Sequence, residues 1–133
     1  MKILVTGSNG QLGNEMRVLA QSYPNHTYFF TDVEDLDITN RAAVADFITA
    51  NAIDLIVNCA AYTNVDKAEE DEATAMRINA EALSVLGSQG IRVIHISTDY
   101  VFSGEEHKPC RESDHTAPRT VYGHTKYEGE KRL

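Results

Sequence analysis

Tyr122 and Lys126 stand four residues apart in VYGHTKYEGEK (121–131). Four residues is close to one helical turn, so a helix there puts both side chains on one face. A phenol with a pKa near ~10 is protonated at neutral pH. A neighbouring ammonium favours the phenolate and lowers that value. Moving it to about 7 takes ~3 pH units, or roughly 4 kcal/mol of differential stabilisation. A tyrosine tuned this way can pass a proton to or from a substrate oxygen during hydride transfer. Tyr–Lys pairs at this spacing also occur on helices that do no chemistry, so the pair takes its meaning from what lies upstream.

Upstream, TGSNGQLG (6–13) places Gly7, Gly10 and Gly13 three apart. At a strand–helix junction the three glycines serve different needs. One allows a sharp turn, one lets the backbone approach a pyrophosphate, and one lets helix and strand pack closely. The helix N-terminus then faces the anion. The spacing is G-x-x-G-x-x-G rather than G-x-G-x-x-G. Asp32 follows the next apolar run, 19 residues after Gly13. A carboxylate about 20 residues on is placed for a ribose 2′-hydroxyl, and it repels a 2′-phosphate. Glu34, Asp35 and Asp37 crowd the same loop. NCAAYT (58–63) ends a third apolar run in small residues, which either leave room for a flat ligand or simply pack.

STDYVFSG (97–104) is the other polar mouth. Thr98 closes the fourth run, which a doubly wound sheet is expected to set beside the first. The Thr98 hydroxyl would then face the reacting end of the ligand and donate to the carbonyl oxygen that Tyr122 protonates. Asp99 could accept from a sugar hydroxyl.

The elements that must position these groups alternate. KILVT (2–6), TYFFT (27–31), DLIVN (54–58) and IRVIHIS (91–97) read as strands. Leu12, Met16 and Leu19 mark a first helix; Val44, Phe47 and Ile48 mark a second, capped by Thr39 or Asn40. One helix is predicted over about 67–86, a polar loop over 103–119, and a last helix opening near Tyr122. Continuously apolar strands separated by helices belong to a parallel sheet covered on both faces. The fold class is therefore α/β, a doubly wound, Rossmann-like sheet with about four strands. Such domains usually carry about six, so residues 1–133 read as an incomplete piece of a longer protein.

Composition narrows the partners. The chain has 133 residues, 42% hydrophobic and 24% charged, with a net charge of −8. That balance argues against a nucleic-acid backbone. No apolar run approaches the ~18 residues of a membrane span. MKILVTGSNG lacks the pattern of a signal peptide. Cys59 and Cys110 show no metal-type spacing. These features predict a reducing, cytoplasmic setting.

Together, TGSNGQLG, NCAAYTNVDKAE, STDYVFSG and YGHTK resemble the extended short-chain dehydrogenase/reductase family, and the resemblance runs along the whole chain. The glycine turn and YxxxK are shared across that superfamily. STDYVFSG and AAYTNVDKAE are closer to its dTDP-sugar reductases. The resemblance implies reduction of the 4-keto group of dTDP-4-dehydro-6-deoxy-L-mannose to dTDP-L-rhamnose, with NADH or NADPH as cofactor, a dTDP-sugar as partner, and a homodimer as a candidate assembly. It implies that Gly10, Gln11 and Leu12 contact the pyrophosphate, with Gly7 and Gly13 shaping the turn. Asp32 would hold the adenosine ribose, Asp37 and Ile38 would lie at the adenine, and Ala61, Tyr62 and Thr63 would line the cofactor groove. Thr98, Tyr122 and Lys126 would be the catalytic set, Lys126 also holding the nicotinamide ribose, and Thr98 with Asp99 touching the sugar nucleotide. Some members hold Mg²⁺ through a carboxylate matching Glu15; no metal site is assigned here. Members continue into a C-terminal substrate domain, which this reading expects to be absent. A non-catalytic NAD(P)-binding regulatory subunit and another nucleotide-sugar dehydratase or epimerase are the alternatives.

Overall fold

The computed structural model describes residues 1–105 and 109–133. Its strands are β1 (Lys2–Thr6), β2 (Thr27–Thr31), β3 (Leu55–Asn58) and β4 (Arg92–His95). Helix α1 (Gln11–Ala20) joins β1 to β2, and α2 (Arg41–Asn51) joins β2 to β3. Between β3 and β4 run α3 (Val65–Glu70), α4 (Glu72–Met76), a π-helical turn (Arg77–Glu81) and α5 (Ala82–Gly87). A 3₁₀ turn (Asp99–Val101) and α6 (Val121–Glu130) follow β4. Among the described residues no helix is long and apolar enough to cross a membrane.

All four strands are parallel, in the order β2-β1-β3-β4. The doubly wound α/β class is as the run pattern predicts, but one neighbour differs. The fourth strand was expected beside the first, and β3 lies between them. The chain leaves β1 to one side to form β2, crosses back through α2, then continues outward. That reversal makes a switch point between β1 and β3, where open α/β sheets hold ligands. The register sets Thr6 beside Asn58 and Asn58 beside His95, so three polar residues end three adjacent strands.

Successive strand residues point to opposite faces. Leu4 and Ile56 pack with Val44 and Ile48 of α2 and with Leu83 and Leu86 of α5. Ile3, Val5 and Val57 pack on the other face, against Met16 of α1, Tyr28 and Phe30. Burying each such aliphatic side chain contributes roughly 1.5–3 kcal/mol, which is what holds the strand ends in register.

Two boundaries depart from the sequence reading. β4 stops at His95, so Thr98 lies beyond the strand rather than closing it. The single helix predicted over about 67–86 is broken. Asp71 leaves the helical region (φ −136°, ψ 59°) and its carboxylate accepts from Thr74 N–H at 3.2 Å. An Asp that can bond its own downstream backbone competes with helix continuation. The π turn follows, packed against α6 as described below.

Candidate active site

The turn after β1 is built on Gly7, whose φ is +63°. A Cβ there would lie 2.5 Å from Ala60 N and 2.6 Å from its Cα, so only glycine lets this turn touch the end of β3. Gly13 has the same kind of constraint: a Cβ would sit 2.5 Å from the Gly7 carbonyl oxygen. Helix α1 thus closes on the turn itself. Gly10 is the N-cap of α1 and supplies no side-chain cap. The first N–H groups of a helix lack intrahelical partners and attract anions.

Asp32 ends β2 and reaches back across the sheet edge. One carboxylate oxygen accepts from Asn9 N–H at 2.9 Å, and the other accepts from Val33 N–H at 2.9 Å. Asp32 therefore holds the glycine turn against β2. Further along, the Asp37 carboxylate accepts from the Thr39 hydroxyl at 2.7 Å and the Thr39 N–H at 2.9 Å. These bonds, with a smaller pull from Arg77, hold it below the usual carboxylate range.

A cavity of about 730 Å³ opens over the switch point. Its lining includes Gly7, Gly10, Gln11 and Leu12 from the turn, and Asp32, Asp37 and Ile38 from beyond β2. Ala61 and Thr63 line it after β3, and Tyr122 and Lys126 reach it from α6. Glu15 lines it too. Residues separated by more than a hundred positions thus share one concave surface. The volume lies within the ~300–1,000 Å³ of small-molecule and cofactor sites.

Helix α6 is capped by Thr120, whose side chain accepts from Gly123 N–H at 3.0 Å. Lys126 on it is only 1% exposed. Its ammonium donates to the Ile96 carbonyl at 2.6 Å and lies 3.2 Å from His95 Nε2. Burial pushes Lys126 down to about 8, with Glu130 pulling the other way. Burial, then the Lys126 charge, pushes His95 down to about 4. Behind His95, its Nδ1 is 3.0 Å from Asn58 Nδ2. Asn58 Oδ1 accepts from the Thr6 hydroxyl at 2.5 Å and from Ala60 N–H at 3.2 Å. A continuous polar line therefore runs along the strand ends, Thr6–Asn58–His95, to Lys126.

Four of the residues named from the sequence lie outside this cavity lining. Gly13 lies under the turn, out of the cavity lining. Tyr62 is held by its backbone, where Asn79 accepts from its N–H at 2.8 Å and donates to its carbonyl at 3.1 Å. Thr98 lines neither this cavity nor its neighbour. Its hydroxyl oxygen accepts from Tyr100 N–H at 3.2 Å and its O–H points to Asp99 at 3.3 Å. Asp99 lines a second cleft of about 240 Å³ with Tyr100, Phe102 and Arg119. Tyr100 of this cleft stands edge-on to Tyr122 of the larger cavity, ring centroids 5.6 Å apart. Sequence reasoning missed Asn58, His95, Arg77 and Asn79. The available signal was polarity out of place: an Asn ending an apolar strand and a His inside another.

A parallel, doubly wound sheet with a glycine turn beneath a cavity at its switch point defines a Rossmann-like α/β domain. Within that class the chain belongs to the family described as "RmlD substrate binding domain", which matches residues 1–133. It is 43% identical, over its whole length, to 46% of a probable dTDP-4,6-dihydroxy-2-methyloxan-3-one 4-ketoreductase of Streptomyces antibioticus. The crystal structure of a dTDP-4-dehydrorhamnose reductase from Clostridium acetobutylicum superposes with a TM-score of 0.94 at 46% identity, covering 99% of this chain and 48% of that one. A dTDP-4-dehydrorhamnose reductase of Bacillus anthracis, solved with NADP, gives 0.93 at 34% identity, covering 98% and 48%. The chain spans about half the length of the curated relatives it matches.

Proposed function

We propose that this chain is the dinucleotide-binding part of an NAD(P)H-dependent reductase of nucleotide sugars. Its reaction in this reading is reduction of the 4-keto group of dTDP-4-dehydro-6-deoxy-L-mannose to dTDP-L-rhamnose. One observation carries the reading: Tyr122 and Lys126 arrive on the same cavity as the glycine turn and Asp32. The family membership and the NADP held by the Bacillus anthracis relative support it.

The residues fit a dinucleotide. The Gly7 turn packs without a side chain against the end of β3 and lines the cavity, and the uncapped start of α1 offers N–H groups to a pyrophosphate. Gln11 and Leu12 flank it. Asp32 takes the ribose in this reading, and Asp37 with Ile38 the adenine end; Ala61 and Thr63 line the groove, with Tyr62 between them held by Asn79. A reduced nicotinamide supplies the hydride. The protein's own work is the proton. Tyr122 donates its phenolic proton to the substrate oxygen as charge builds there, and Lys126 steadies the phenolate left behind. Thr98 completes the set by donating to the same oxygen, one residue past the cavity-lining Ser97. Asp99, in the adjoining cleft, accepts from the sugar.

The test is turnover with the keto sugar nucleotide in the full-length protein, followed by NAD(P)H absorbance, with fluorescence titration of the cofactor alongside. Tyr122→Phe keeps the ring and removes the acid, so turnover drops roughly 10²–10⁴-fold while cofactor affinity holds. Lys126→Met lowers both. Turnover of wild-type magnitude in Tyr122→Phe overturns the mechanism.

A further inference from the structure

We propose that His95 is a positioning residue for Lys126: Asn58 holds the imidazole with its proton on Nε2, and that N–H, aimed at Lys126 Nζ, favours the lysine's amine over its ammonium. The argument is one of donors and acceptors. Ala60 N–H can only donate, and it meets Asn58 Oδ1 at 3.2 Å. The Asn58 amide is thereby oriented, and its NH₂ faces His95 Nδ1 at 3.0 Å. An NH₂ group can only donate, so Nδ1 must accept and carries no proton. A neutral imidazole then has its proton on Nε2. Lys126 Nζ lies 3.2 Å from that N–H. An ammonium has three donors and no acceptor, so it sets donor against donor there. An amine has a lone pair and accepts. Reversing the His95 tautomer only moves the conflict to Asn58, and flipping Asn58 moves it to Ala60.

Burial acts in the same direction on Lys126, which is pushed down to about 8. Tyr122, Arg77 and Cys59 line the same cavity as Lys126, and Glu130 lies one turn on along its own helix. Helix α5 carries no charged residue, and Glu72 of α4 is exposed. Glu130 is the one among these whose charge acts on Lys126, and it favours the ammonium. His95 opposes it. The balance leaves Lys126 titrating close to working pH, so the charge that steadies the Tyr122 phenolate fades as pH rises through that range. This consequence for turnover rests on the reductase reading; the tautomer does not.

Two measurements on the full-length protein test it. Long-range ¹H–¹⁵N spectra of the imidazoles, with His95 assigned through His95→Gln, report which nitrogen bears the proton. The expected result is a protonated Nε2 and bare Nδ1, unchanged between about pH 6 and 8. A proton on Nδ1, or an imidazolium at neutral pH, overturns the proposal. The second measurement is the pH profile of turnover. Gln can turn its carbonyl oxygen to Lys126 and accept from the ammonium. In His95→Gln the Lys126 limb therefore moves up by about one pH unit, the scale of one reversed hydrogen bond. An unmoved limb overturns the proposal. A wild-type protein with the proton on Nε2 and no turnover would instead remove the reductase reading and leave the His95 assignment standing.

Discussion

Asp32 is a scaffold residue to which the proposed function adds a second role, in cofactor specificity. Its two carboxylate oxygens accept from Asn9 and Val33, so it pins the glycine turn to the end of β2. Each carboxylate oxygen has a second lone pair, which leaves room for a ribose hydroxyl in the adjoining cavity. A fixed negative charge there opposes a 2′-phosphate. The proposed role predicts that Asp32→Ala weakens NADH binding more than NADPH binding, by up to about tenfold relative to one another, the scale of a charge-assisted hydrogen bond. Calorimetric titration with both cofactors checks this. Equal losses would mean that Asp32 acts only through the turn.

Among the elements, α6 brings the Tyr–Lys pair to the cavity, and its seat is the π turn. A Cβ at Gly129 would lie 2.1 Å from the Asn79 carbonyl oxygen and 2.9 Å from Leu83 Cδ1. The helix can approach this closely only because residue 129 has no side chain. Asn79, in the same turn, holds the Tyr62 backbone and donates to the Thr125 hydroxyl at 3.1 Å. Extra turns of this kind often sit at functional sites. Gly129→Ala forces α6 outward, and overpacking of this sort costs typically ~1–3 kcal/mol. Urea unfolding should show that loss. The displaced Tyr122 and Lys126 should lower kcat more than they raise KM. An unchanged midpoint and kcat would show that α6 has slack at this contact.

For the whole molecule, the buried His95–Lys126 pair links stability to pH. His95 titrates at 6.5 in ordinary surroundings and at about 4 in the folded protein. Between those values the unfolded chain binds more protons, so stability falls as pH drops from 6.5 to 4. The effect is roughly 1–2 kcal/mol once the partial exposure of the ring is allowed for. Lys126 moves from 10.5 to about 8. By the same sign, its contribution grows as pH rises from 8 to 10.5. Urea midpoints of wild type and His95→Gln, compared from pH 6.5 to 4, check the acid limb. The variant should lose that part of the slope, and parallel curves would show that folding leaves the titration of His95 unshifted.

Local pattern alone determined much of this molecule. Apolar runs of strand length, separated by 3.6-periodic segments, already specify a parallel sheet with helices on both faces. The cap of α2 is legible as Thr39 or Asn40, and Asn40 fills it, because capping is a contact within four residues. The glycine spacing, Asp32 and the Tyr122–Lys126 pair are also short-range patterns, and all five of Gly7, Gly10, Asp32, Tyr122 and Lys126 reach one cavity. Strand order was not legible, because which edge a crossover returns to is decided by helix packing on the sheet. That put β3 between β1 and β4, while Thr98 stands one residue past Ser97, which still lines the cavity. The break at Asp71 and the π turn were hidden as well; the turn's packing partner, α6, lies far downstream in the chain. Least visible was the Thr6–Asn58–His95–Lys126 line. Its members come from three strands and a helix, and each reads alone as an ordinary residue. Only parallel pairing in register stacks them side by side, and only burial makes their protons matter.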